Sequence, residues 1–153
     1  MNHVLRAFKK EDQDSVKELI LNILTKEYPF DKSAYSDSDL LHIAETYGGA
    51  RNAFLVIEEN GKVVGTVGVK EDTEGEAIIR RLFVDPGHRG RGYGKELLER
   101  AIVFCKEKGY KKIYFRCTDR MSSAMGLCRK KGFKETEKLE VSGFNIHKLE
   151  LGI

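Results

Sequence analysis

The run from Leu82 to Lys95 restricts the fold more than any other stretch of this chain. An apolar strand, Leu82-Phe83-Val84, breaks at Pro86-Gly87 and passes through Arg89, Gly90, Arg91, Gly92, Tyr93, Gly94 and Lys95 into a helix. Glycines at 90, 92 and 94 let the backbone pass close to a bulky anion. The unpaired N–H groups of the next helix's first turn, at the positive end of its dipole, point at that anion. Arg89, Arg91 and Lys95 add charge of the right sign. The two commonest phosphate loops do not fit. A Walker loop needs Ser or Thr after Gly94-Lys95 and finds Glu96, and a Rossmann fingerprint needs Gly where Lys95 stands.

The elements around this loop read directly from periodicity. Val4 to Phe8 forms a short strand, and Val16, Leu19, Ile20, Ile23 and Leu24 mark one apolar helix face behind acids at Glu11, Asp12 and Asp14. Tyr28 to Asp39 contains Pro29 and lacks periodicity, so it reads as a loop before a short helix at Leu40 to Glu45. Strands at Asn52 to Glu59 and Lys62 to Lys70 flank Asn60-Gly61, a tight-turn pair. Glu76 to Val84 is the strand that feeds the loop, with Arg80 and Arg81 expected on opposite sheet faces. The helix after the loop carries a stripe of Gly94, Leu97, Leu98, Ala101 and Cys105 and ends near Gly109. Lys112 to Cys117 is a strand, Ser122 to Lys131 a helix, and Phe133 to Val141 pairs with Phe144 to Leu151 around Ser142-Gly143. The resulting order, βααβββαβαββ, describes a mixed α/β (α+β) sheet with helices on both faces.

Composition narrows the class further. A chain of 153 residues makes one domain, 1–153, that buries roughly two-thirds of its unfolded surface in one core. At 41% apolar and 33% charged it is an ordinary globular sequence, and a net charge of +3 is too small to argue for nucleic acid. Cys105, Cys117 and Cys128 are odd in number and lack C-x-x-C spacing, which points to reduced thiols. His3, His42 and His147 sit at no ligand spacing, so no metal is expected. No apolar signal core or membrane-length run is present, so a cytoplasmic location without membrane association is expected.

The loop residues Arg89-x-x-Gly92-x-Gly94, after Leu82 to Pro86 and before Leu97-Leu98, resemble the acetyl-CoA loop of the GNAT superfamily of N-acetyltransferases. Met121, Ala124, Leu127, Cys128, Lys130 and Gly132-Phe133 are similar to its later helix. Phe54 to Thr66, with Gly65, is similar to its central hairpin. The three motifs stand in family order over roughly the last two-thirds of the chain. The resemblance implies a mostly antiparallel central sheet of about seven strands, with a splayed parallel pair. It also implies acetyl transfer from acetyl-CoA to an amine by direct attack in a ternary complex.

By position, the backbone of Leu82, Phe83 and Val84 would hold pantetheine and polarise the thioester carbonyl, and Arg89, Gly90, Arg91, Gly92, Tyr93, Gly94 and Lys95 would take the pyrophosphate. His88 sits beside that loop, as a phosphate contact or a solvated turn residue. The proton-handling positions depart from the family pattern. Cys128 stands where relatives place a tyrosine acid, and Ile78 and Arg116 stand where they place a glutamate. Cys128 therefore reads either as the general acid or as a packed helix residue; Glu76 and Tyr114 are the other candidates for acid–base work, each with an ordinary surface or packing role as the alternative.

Asp31, Asp37, Asp39 and Glu45 outnumber Lys32 in the segment before the hairpin, a hint of a cationic acceptor. The implied acceptor is a small-molecule or protein amine, with the protein a monomer or homodimer. The alternatives are a non-catalytic CoA-binding or regulatory module of the same fold, and an acetyltransferase acting on aminoacyl-tRNA, which would need a basic surface beyond the loop.

Overall fold

A computed structural model describes residues 3–28, 38–141 and 143–153. Seven strands form one sheet in the order β1-β2-β3-β4-β5-β7-β6. They are β1 (His3–Ala7), β2 (Ala53–Glu59), β3 (Lys62–Thr73), β4 (Glu76–Val84), β5 (Lys112–Thr118), β6 (Lys134–Val141) and β7 (Phe144–Gly152). Neighbouring strands are antiparallel except β4 and β5, which are parallel. Among the described residues four α-helices accompany the sheet: α1 (Gln13–Glu27), α2 (Ile43–Thr46), α3 (Tyr93–Glu107) and α4 (Ser122–Lys130).

The predicted apolar stripe of α1 is buried at all five positions, each such side chain contributing about 1.5–3 kcal/mol by leaving water. Asn60 and Gly61 take the positive φ of the β2–β3 turn, at 53° and 80°. Two glycines of β3 let helices approach from opposite sides. A Cβ on Gly65 would stand 3.0 Å from Leu97 of α3, and one on Gly68 only 2.8 Å from the Tyr47 ring that follows α2. Because 65 and 68 differ by an odd number, they face opposite sides of the sheet, so α3 and the α2 segment cover different faces.

Three local readings are corrected. The helix expected at Leu40 to Glu45 is a 3-10 turn, Ser38–Leu41, followed by the single turn of α2; His42, with φ −143° and ψ 58°, interrupts the helical path. β3 runs past Lys70 to Thr73, pairing there with the start of β4. Finally, Arg80 and Arg81 do not diverge to opposite faces, for a reason that belongs to the site. Residues 29–37, which carry Pro29, Asp31, Lys32 and Asp37, and Ser142 of the last turn lie outside the described residues.

Candidate active site

The site begins as a defect in strand pairing. β4 and β5 pair from Glu76–Lys112 to Ile79–Phe115, and beyond that the two strands part. On its other edge β4 carries a bulge: Thr66 pairs with Phe83 and Gly68 with Arg80, leaving Arg81 and Leu82 opposite Val67 alone. Arg81 takes a φ of 54°, and its carbonyl accepts a hydrogen bond from the Thr66 hydroxyl at 2.7 Å. The bulge breaks the two-residue alternation. Arg81 therefore turns inward and donates to Asp39 from Nε at 3.0 Å and Nη2 at 2.5 Å, while Arg80 also reaches Asp39, at 3.8 Å. The Tyr47 hydroxyl donates to the same carboxylate at 2.7 Å. Burial pushes the Asp39 carboxyl up, but the Arg81 bond and charge outweigh it and hold the group below the usual range. Asp39, read from sequence as facing an acceptor, is thus occupied inside the protein; Glu45 is exposed.

Beyond Val84 the chain makes a 3-10 turn at Pro86–His88 and enters α3 through Gly92, whose φ of 83° is left-handed. As the N-cap residue Gly92 supplies no capping side chain, so the first-turn N–H groups of α3 remain available to a ligand. Glu59, at the end of β2, fixes the loop from beneath. Its buried carboxylate accepts from the Tyr93 hydroxyl at 2.7 Å and from Arg91 Nη1 at 3.0 Å, and lies 2.9 Å from His88 Nε2. The Tyr93 bond, opposed by burial and aided by Arg91 and His88, holds Glu59 below the ordinary glutamate range. His88 Nδ1 contacts Asp85 at 2.7 Å. Arg89 spans the other side, donating from both terminal nitrogens to Glu27 at 2.8 Å and from Nε to the Val84 carbonyl at 3.0 Å.

A cleft of about 440 Å³ lies between these parts. Leu82, Phe83 and Val84 form its floor, and Arg89, Gly90, Gly92, Tyr93 and Gly94 one wall. Met121, Ser123, Ala124 and Leu127 form the facing wall at α4, with Glu27 and Tyr28 at the end of α1. Arg91 and Lys95 are not part of the wall: Arg91 is drawn to Glu59, and Lys95 is exposed on α3. Glu59 and Glu27 were invisible in the sequence, where each is one acid among many at the end of an element. Met121, Ala124 and Leu127 were signalled by the later motif, though as helix residues only.

The three acid–base candidates lie off the cleft wall. Cys128 has no exposed surface, and burial, with a smaller contribution from Cys117, pushes its thiol up to about 12. Glu76 begins β4, eight residues from Val84 and so about 26 Å along the strand from the loop, where it accepts from the Thr73 hydroxyl. Tyr114 is buried and donates its hydroxyl to Asp72; burial first, and Asp72 second, push the phenol above its usual range.

Comparison with known proteins places these features in context. The sequence model of the acetyltransferase (GNAT) family matches residues 17–133. Human N-acetyltransferase 8B is 35% identical over 105 residues, covering 65% of this chain and 46% of that protein. The chain spans about half the length of the first curated relatives it matches. Among solved structures, an acetyltransferase of the GNAT family from Staphylococcus aureus Mu50 superposes with a TM-score of 0.87 at 24% identity, covering 99% of both chains. A GNAT superfamily phosphinothricin acetyltransferase from Sinorhizobium meliloti, in complex with acetyl-CoA, superposes with a TM-score of 0.84 at 18% identity over 100% of this chain and 89% of that one.

Proposed function

This chain belongs to the GNAT family of acetyltransferases, and from that premise we propose that it transfers the acetyl group of acetyl-CoA to an amine. The observation that carries the reading is the junction of three features in one cleft: the parted edge of β4, the Gly92 N-terminus of α3, and the apolar wall of α4.

Each feature answers a part of the donor. The first-turn amides of α3 and the backbone at Gly90 take the pyrophosphate, with Arg89 at the rim able to exchange Glu27 for a phosphate oxygen. Because β5 leaves β4 after Ile79, the β5-side edge of β4 from Arg80 to Val84 has no strand partner. That edge offers main-chain donors and acceptors to the pantetheine amides as a further strand would. Acetyl-CoA supplies the activated thioester. A main-chain N–H at Leu82–Val84 polarises its carbonyl, a role that contributes about 3–4 kcal/mol in other acyl-transfer sites. Holding amine and thioester in attack geometry adds to this, and such positioning alone contributes roughly 7–11 kcal/mol in favourable systems.

Cys128, Glu76 and Tyr114 act in this scheme by packing and positioning. The attacking amine releases its proton to water in the cleft, and the departing thiolate takes a proton back from that water. The burial of Cys128 also supports the second reading, a CoA-binding module without turnover, and one experiment separates the two. CoA and acetyl-CoA should raise the melting temperature while NAD and ATP do so much less, and free CoA thiol should appear with an amine panel. Binding without turnover selects the module; equal shifts with all nucleotides, or none with CoA, refute the donor site. Gly92→Ala should abolish the CoA shift. A Cβ there has no heavy atom within 4 Å, so the fold loses only about 1–2 kcal/mol of left-handed backbone strain.

A further inference from the structure

The sheet face turned away from α3 gathers cations where β4 and β5 part. Arg80 stands opposite Gly68, which faces Tyr47. Arg116 lies two residues beyond Tyr114, the partner of Ile78, and stands opposite Lys148 of β7. The three basic side chains therefore share one face and flank the wedge from both strands. Arg116 is exposed, its guanidinium carbon 5.5 Å from the centre of the Tyr114 ring, and the Lys148 ammonium is 4.5 Å from the same centre.

The acids on this face are already matched. Asp39 is held by Arg81 and Tyr47, so Arg80 reaches it only at 3.8 Å; Asp72 takes the Tyr114 hydroxyl; Glu150 lies 3.3 Å from Lys148. Glu76 stands four residues back from Arg80, about 13 Å down the strand, and Glu137 of β6 faces Lys148 from the side away from the wedge. Among the described residues no carboxylate lies within ion-pair distance of Arg116. Like charges converge here, and of the three only Arg116 has no described carboxylate at ion-pair distance, at the place where an acceptor meets the parted edge of β4.

We propose that this is the acceptor's anion subsite. The amine substrate carries its own oxyanion, as in an α-amino acid, which Arg116 and Arg80 grip from the two sides of the wedge while Lys148 adds charge. The proposal rests on the acetyltransferase reading and names its substrate class; it replaces the cationic acceptor expected from the acidic segment, of whose two described members Asp39 is already paired and Glu45 lies exposed on α2.

The test uses the intact chain saturated with CoA, with thermal shift for binding and acetyl-CoA turnover for activity. The panel contains amino acids, their amides, the corresponding decarboxylated amines and O-phosphoethanolamine. Amino acids should bind and react in preference to amides and simple amines; preference for O-phosphoethanolamine would identify phosphate as the source of the oxyanion. Arg116→Gln should raise the Kd or KM for the anionic amine about ten- to hundredfold, leave the acetyl-CoA KM unchanged, and raise the KM for the amides by a much smaller factor. Arg100→Gln, an exposed change on α3, controls for net charge. Equal or better use of the neutral-ended amines, an unaltered KM in Arg116→Gln, or CoA binding with no anionic amine bound would each overturn the subsite. Failure of CoA itself to bind would instead overturn the acetyltransferase reading.

Discussion

Removing the Asp39 carboxylate should destabilise the protein far more than an ordinary loop substitution. Asp39 and Arg81 have side chains 4% and 5% exposed, joined by two charged hydrogen bonds, with Tyr47 donating a third. Asp39→Asn removes the carboxylate charge to which the buried Arg81 guanidinium donates twice. Removing one partner of a buried pair costs about 3–5 kcal/mol. For 153 residues the unfolding entropy is roughly 0.32 kcal/mol/K, so the melting temperature should fall by about 9–16 °C. Urea unfolding followed by circular dichroism measures the loss directly. Arg81→Met in the same chain removes the other member of the pair and should restore at least half of it, a coupling well above 1 kcal/mol. The pair also predicts acid sensitivity. The folded carboxyl lies below its unfolded value, so its stabilisation is complete above about pH 4 and is lost as pH falls through the lower folded value. An Asn variant within 1 kcal/mol of the parent, or a double variant whose loss is the sum of the two singles, would refute this account.

Glu59→Gln should loosen the loop by removing the anion shared by Arg91, His88 and Tyr93, raising the acetyl-CoA KM about tenfold with a smaller change in kcat; steady-state kinetics with an unchanged KM would exclude a positioning role. Cys128→Ala should cost about 1–2 kcal/mol in urea unfolding and leave turnover within threefold, because a thiol near 12 with no exposed surface is a poor proton donor. A loss above tenfold in a well-folded variant would restore Cys128 as the acid. His147 lies 2.5 Å from Asp119 and 2.6 Å from Glu135, and the Asp119 bond, opposed by burial and helped by Glu135, raises its basicity. Its contribution should be complete below about pH 6.5 and vanish as pH rises through the higher folded value; melting temperatures across that range should decline more steeply in the parent than in His147→Gln.

Much of this protein was legible in its residues alone. The boundaries of β4 are legible because its run is bounded by turn residues, Gly75 before it and Pro86-Gly87 after it, and the stripe of α1 because five aliphatics repeat at helical spacing. The conformation of the loop before α3 was legible for a local reason as well: left-handed φ at Gly90 and Gly92 and a helix N-terminus are properties of contiguous sequence. The family motifs depend on the same short-range grammar.

What the sequence could not determine were the partners. Arg80 and Arg81 were expected to diverge by simple alternation, and only the bulge, which exists because β3 offers one residue against two of β4, turned both toward Asp39. Glu59 and Glu27 became loop anchors because the fold brought the ends of β2 and α1 beside residues 88–93, separations of 29 and more positions that no local pattern encodes. Cys128 and Leu127 are adjacent in the chain, yet the packing of α4 on the sheet sends the first into the core and the second to the cleft. Local sequence fixes backbone conformation through sterics and hydrogen bonding within a few residues. Which charged or polar group meets which is decided by long-range burial, where each ion must find a counter-charge before it can leave water.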